Sequence, residues 1–98
     1  MPDIKPCTKF LNCSLEDQFR SMDREIGEVE GALIYFLHAK STRNVNHLAE
    51  ELVDLQTACE TMLAILKVDV DQVRQRVIDK NAARGYYVEE ATGNTKTD

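Results

Sequence analysis

Two pairs of acids, each spaced three residues apart, are the side chains of this sequence best suited to chemistry. Glu25 and Glu28 stand in "REIGEVEGAL", and Glu51 and Asp54 in "EELVDL". Each pair flanks apolar residues, Ile26 and Val29 in the first stretch, Leu52 and Leu55 in the second. At about 100° per helical residue, each pair lies roughly 100° and 160° to the same side of its own apolar marker, Ile26 or Leu52. Equal offsets point to one side of an antiparallel helix pair related by a two-fold axis. In a parallel pair they would point to opposite sides. The midpoint between the pairs falls near Ala39 and Lys40, so a hairpin turning there brings them level to within about one or two helical turns. Four carboxylates on one side of such a unit repel one another at neutral pH. A hard divalent cation relieves that repulsion with oxygen ligands, and Mg²⁺ typically takes a few carboxylates plus water and phosphate oxygens. The competing reading is a solvated acidic flank, common on amphipathic helices. A di-iron carboxylate bundle needs Glu-x-x-His pairs. Neither His38 nor His47 has a glutamate three residues before it, and both read as helix-end residues around a connector.

The elements that must position these acids are helical. Residues 1–13 hold both prolines and read as an irregular arm. Ser14 offers an N-cap, with Asp17 three residues on. Leu15, Phe19, Met22, Ile26, Val29, Leu33, Phe36 and Leu37 then recur at helical spacing. Gly27 and Gly31 interrupt this helix, each at about 1 kcal/mol against Ala, and mark either a close approach of another backbone or tolerated defects. "AKSTRNVN" is a polar connector from which Asn44 or Asn46 can cap a second helix. Its apolar row is Leu48, Leu52, Leu55, Cys59, Met62, Leu63 and Leu66, ending near Lys67. Asp69 with Gln72 opens a third helix carrying Val70, Val73, Val77 and Ile78. Gly85 can supply the left-handed position after its last turn. Residues 88–98 read as a flexible polar tail. The expected fold is all-α, three main helices completed by oligomerisation.

Composition narrows the function classes. A chain of 98 residues with 43% apolar content suffices for one domain, yet three long amphipathic helices leave apolar area uncovered. That favours association with a second copy. The net charge of −5 argues against nucleic acid or an anionic membrane as partner, but not against a phosphate-bearing small molecule approached through a cation. No apolar run reaches membrane-span length, and "MPDIKPCTKF" shows no signal-peptide core. Cys7, Cys13 and Cys59 are an odd, sparse set that reads as free thiols in a reducing cytoplasm. A zinc site from Cys7 and Cys13 would need two further ligands that the spacing does not supply.

"EIGEVEGAL", followed by "EELVDLQTAC" and "KNAARGYY", resembles the MazG-like family of all-α nucleoside triphosphate pyrophosphohydrolases over about residues 15–87. That family's pattern is Glu-Glu-x-x-Glu on one helix and Glu-x-x-Asp on the next, with a lysine and polar residues downstream. Glu25 and Glu28 match the later acids of the first element, and Glu51 and Asp54 match the second. Arg24 replaces the leading acid, which puts a supporting role in doubt. The resemblance implies a domain at 14–87 that hydrolyses a (deoxy)nucleoside triphosphate to monophosphate and pyrophosphate. It also implies Mg²⁺ (or Mn²⁺) on Glu25, Glu28, Glu51 and Asp54, in a homodimer or dimer of dimers.

The physics of the residues fits that chemistry. A divalent ion on the acids screens a triphosphate, polarises a phosphoryl group and lowers the pKa of a water. The expected general base is Glu25 or Glu28, with no ranking between them. Lys80 and Arg84, four apart on the third helix, can contact phosphate oxygens and the leaving pyrophosphate. Equally, they can be surface charges favoured by a helix C-terminus. Asn81 matches a polar position of the family, and Tyr86 and Tyr87 can stack on a base or pack. Two alternatives stay open: the related phosphoribosyl-ATP pyrophosphohydrolase, which fits "KNAARGYY" less well, and a non-catalytic helical interaction module.

Overall fold

The computed structural model describes residues 2–88. Among them the fold is all-α: a 3₁₀ turn at Thr8–Phe10 precedes α1 (Leu15–His38), α2 (Thr42–Leu66) and α3 (Val70–Ala83), with no strand. No helix there is long and apolar enough to cross a membrane. Residues 89–98, nearly all of the expected polar tail, lie outside the described residues. The chain forms two compact units, one ending at Lys67 and one beginning at Val68.

In the first unit, Ser14 caps α1 as its position implies, its hydroxyl accepting the Asp17 N–H at 3.1 Å. The start of α2 corrects the sequence reading. Ser41, in extended geometry, is the cap and accepts the Asn44 N–H at 3.1 Å. Neither Asn44 nor Asn46 has that role, and most of "AKSTRNVN" is helix. The Asn44 amide instead donates to the Ala39 carbonyl at 2.8 Å and to Tyr35 at 3.4 Å. It therefore adds a second bond to carbonyls that already accept the Ala39 N–H (at Tyr35) and the Ser41 N–H (at Ala39).

The helices run antiparallel: Tyr35 meets Asn44 near the loop, Met22 Sδ lies 3.7 Å from Cys59 Sγ, and Gln18 reaches Ala58. The residues turned from solvent on α1 include Gln18, Met22, Glu25, Val29, Ala32 and Phe36. On α2 they include Leu48, Glu51, Leu55, Ala58 and Met62. Steps alternate between three and four, the heptad spacing of a coiled-coil seam. The acids are therefore not on the shoulder of the contact. Glu25 and Glu51 occupy seam positions, while the expected core markers Ile26 and Leu52 are 41% and 46% exposed. The reason is geometric. An apolar sector wider than about 100° cannot be covered by one neighbouring helix. Ala32, Ala58 and Thr61 are the small buried residues of the pair, and Thr61 also meets the arm. That leaves Leu15, Phe19, Leu33 and Leu37 exposed on α1, and Val45, Cys59 and Leu66 on α2. A Cβ added at Gly27 or Gly31 meets nothing within 4 Å, so neither glycine serves a close approach within this chain.

The arm is more ordered than its prolines suggest. Besides the 3₁₀ turn, the Cys7 N–H donates to Thr61 Oγ1 at 2.9 Å. The Thr61 hydroxyl in turn donates a hydrogen bond to the Thr57 carbonyl, also at 2.9 Å. One buried threonine of α2 thus pins the arm.

In the second unit, Asp69 caps α3 by accepting the Gln72 N–H at 3.2 Å. The helix closes as Gly85 implies, at φ 75°. Gly85 N–H donates to Ala82 and Tyr86 N–H to Asn81, the paired bonds of a Schellman ending.

Candidate functional site

The offsets read from the sequence bring the acids together on one side of the hairpin. Glu25 and Glu28 from α1 and Glu51 from α2 each place a carboxylate oxygen within 4.8 Å of the others. Asp54, one turn beyond Glu51, is not in that closest trio, but its charge acts on both Glu25 and Glu51. Seam position explains the enclosure: Glu25 is half-buried, and the Glu51 side chain keeps 16% of its surface accessible. Glu28 and Asp54 sit at the solvent edge.

The electrostatics follow from that crowding. Burial, then the charge of Glu28 and a hydrogen bond with it, then Asp54 and Glu51, raise the Glu25 pKa above its ordinary value. Glu51 is raised likewise, by burial first and then by Glu28 and Asp54, against a lowering by His47. Two carboxylates share a hydrogen bond only when one is protonated, which is why such contacts raise a pKa. The Glu25 Oε2 atom is buried with no hydrogen-bond partner. An orphaned buried carboxylate oxygen facing other acids has the chemistry of a cation ligand, and the trio's spacing suits one ion bridging two helices.

His47 was missed from the sequence as part of this neighbourhood. Its Nε2 is 3.7 Å from Glu51 Oε2, one turn along α2. The i,i+4 relation to Glu51 was the available signal. Also missed was a pocket of about 130 Å³ beside the acids. It is lined by the arm residues Cys7 and Phe10 together with Gln18, Ser21, Glu25, Asp54, Thr57, Ala58 and Thr61. No spacing rule could have found it, because the arm's path depends on one long-range hydrogen bond.

Lys80, Asn81 and Arg84 belong to the second unit, at the end of α3. Lys80 and Arg84 are exposed, and the Arg84 guanidinium lies 5.8 Å from the Tyr86 ring centroid. Asn81 is half-buried and its carbonyl accepts the closing bond from Tyr86. Comparison of the chain with protein-family models, curated proteins and solved structures returns no match.

Proposed function

We propose that this protein is a Mg²⁺-dependent nucleoside triphosphate pyrophosphohydrolase, cleaving a (deoxy)nucleoside triphosphate to monophosphate and pyrophosphate. The observation that carries the reading is the trio of Glu25, Glu28 and Glu51 oxygens within 4.8 Å of one another, with Glu25 Oε2 orphaned among them. The resemblance of the acid motifs to the MazG-like family supplies the reaction class. Glu25, Glu28 and Glu51 would hold the ion, with Asp54 beside them, and Mn²⁺ fits the same donors. The ion would supply charge neutralisation for the triphosphate and polarise the attacked phosphoryl group. Glu25 or Glu28 takes the proton of the attacking water. The new P–O bond forms at the phosphorus next to the sugar, and the bond to pyrophosphate breaks. Incubation with a panel of triphosphates and Mg²⁺, scoring products, tests this directly. Monophosphate and pyrophosphate are expected; diphosphate and orthophosphate as primary products contradict it.

Lys80 and Arg84 are proposed to grip the phosphate chain, with Asn81 as an accessory polar contact. A hydrogen bond to a charged group contributes about 1.5–3 kcal/mol. Lys80→Ala should therefore slow turnover by roughly one to two powers of ten, where that contact tightens in the transition state. An unchanged rate leaves the reaction standing and removes Lys80 from the site.

The working form is proposed to be a homodimer or dimer of dimers. Phe19 is 56% exposed and Leu37 57%, in a row that continues through Leu15, Ile26 and Leu33. A second copy would cover it. Light scattering at micromolar concentration should report at least a dimer, and a stable, active monomer refutes this. The exposed row equally suits a non-catalytic interaction module, the second reading. Calorimetry with Mg²⁺ or Mn²⁺ separates the two, since a module has no need to bind either at the acids. The three cysteines, all free, fit a reducing cytoplasm.

A further inference from the structure

We infer that the arm-walled pocket beside the acids receives the base of the nucleotide. The inference rests on the pyrophosphohydrolase reading and assigns the other end of its substrate. At about 130 Å³ the pocket is smaller than the roughly 300–1,000 Å³ of sites that enclose a whole small ligand. It suits one ring system, not a nucleotide.

Its lining says which part enters. Glu25 and Asp54 are part of the lining and no lysine, arginine or histidine is, so a phosphate is repelled from it. The other groups that can meet a ring are neutral: the Gln18 amide, the Thr57 hydroxyl and the Phe10 ring. An amide offers both a donor and an acceptor to the edge of a heterocycle. Gln18 is held for that role, only 4% exposed and anchored by its Nε2–H to the Ala58 carbonyl at 3.3 Å. Phe10 is 41% exposed, with the Lys9 ammonium 5.8 Å from its ring centroid, so one ring face is available for stacking. A base seated here leaves its sugar at the rim and its phosphates beside the carboxylate trio. The arm, pinned through Cys7 and Thr61, is then part of the substrate site and not an appendage.

The test compares full-length wild type, Gln18→Leu and Phe10→Ala with Mg²⁺. For each, KM for a nucleoside triphosphate is set against the inhibition constant of inorganic tripolyphosphate, which offers the phosphates without the nucleoside. In both variants KM should rise about ten-fold, the order expected for one stacked or hydrogen-bonded contact to a base, raising the ratio of the two constants by the same factor. Gln18 is buried, so the fold of its variant is checked by thermal melting. Exposed Phe10 tests the pocket even where Gln18→Leu does not fold. Constants that move together, or a ratio that stays put in folded variants, overturn the assignment while leaving the reaction intact. A wild type that cleaves no triphosphate overturns the pyrophosphohydrolase reading, and this assignment with it.

Discussion

Glu51→Gln should abolish Mg²⁺-dependent hydrolysis and, in metal-free buffer, raise the melting temperature of the same protein. The two effects have opposite signs because one carboxylate serves two balances. As a ligand, Glu51 joins α2 to the two acids of α1, within 4.8 Å of both. Its loss removes metal-derived transition-state stabilisation of several kcal/mol, so kcat/KM should fall by roughly three powers of ten or more. As an unliganded acid, Glu51 is half-buried and stands beside the like charges of Glu28 and Asp54; burial first and those charges second raise its pKa. The amide keeps the shape, removes the charge and can donate a hydrogen bond to a neighbouring carboxylate. Asp54→Asn should also abolish activity, with a smaller stability gain, because Asp54 is exposed at the edge of the cluster. Steady-state kinetics and circular-dichroism melts in EDTA read the two effects separately. Full activity of Glu51→Gln in EDTA-treated, Mg²⁺-free buffer would sink the metal assignment.

Mg²⁺ should stabilise the protein strongly, and its effect should run against that of protons. A ligand at a hundred times its dissociation constant adds about 2.7 kcal/mol. For a domain of this size that shifts the melting temperature by roughly 10–20 °C. The pH dependence follows from the raised pKa values of Glu25 and Glu51. Between the ordinary carboxyl value of 4.5 and the raised folded values, the native state binds more protons than the unfolded one. Metal-free stability contributed by these groups therefore falls as pH rises through that window and recovers on mild acidification. The Mg²⁺ increment does the reverse, complete at neutral pH and fading as protons occupy the ligands. Melts across mildly acidic to neutral pH, with EDTA and with Mg²⁺, should give curves that converge toward acid. Parallel curves would show that the ion binds elsewhere or not at all.

Much of this arrangement was legible in the residues. Helical spacing located all three helices, and Ser14, Asp69 and Gly85 marked ends that the structure bears out. The equal offsets of the acid pairs put Glu25, Glu28 and Glu51 on one side of an antiparallel hairpin, where they meet. What was not legible was which of two adjacent stripes becomes the contact. Hydrophobicity alone favours the row through Ile26 and Leu52, since it ranks a leucine above a glutamate or an alanine. The small residues Ala32, Ala58 and Thr61 are the ones buried instead, and that lies in packing rather than in apolar content. The cap at Ser41 was hidden by two asparagines, equally good capping types, slightly downstream. The arm's docking through Thr61 left no local trace, because its partner is 54 residues away.

The hairpin's geometry also orders how the chain closes. Sequence separation across the seam grows steadily away from the loop, from 9 residues at Tyr35–Asn44 to 40 at Gln18–Ala58 and 54 at Cys7–Thr61. Contacts nearest the loop have the smallest closure entropy, so closing from Asn44 outward is the order of least entropic cost. The carboxylate layer sits midway along that zipper, after the loop-proximal turns and before Gln18 and the arm. At neutral pH, then, the closing chain meets a like-charged step halfway, and the parts of the pocket wall supplied by Gln18, Ala58, Thr61 and the arm are assembled beyond it. A proton or a divalent ion lowers that step.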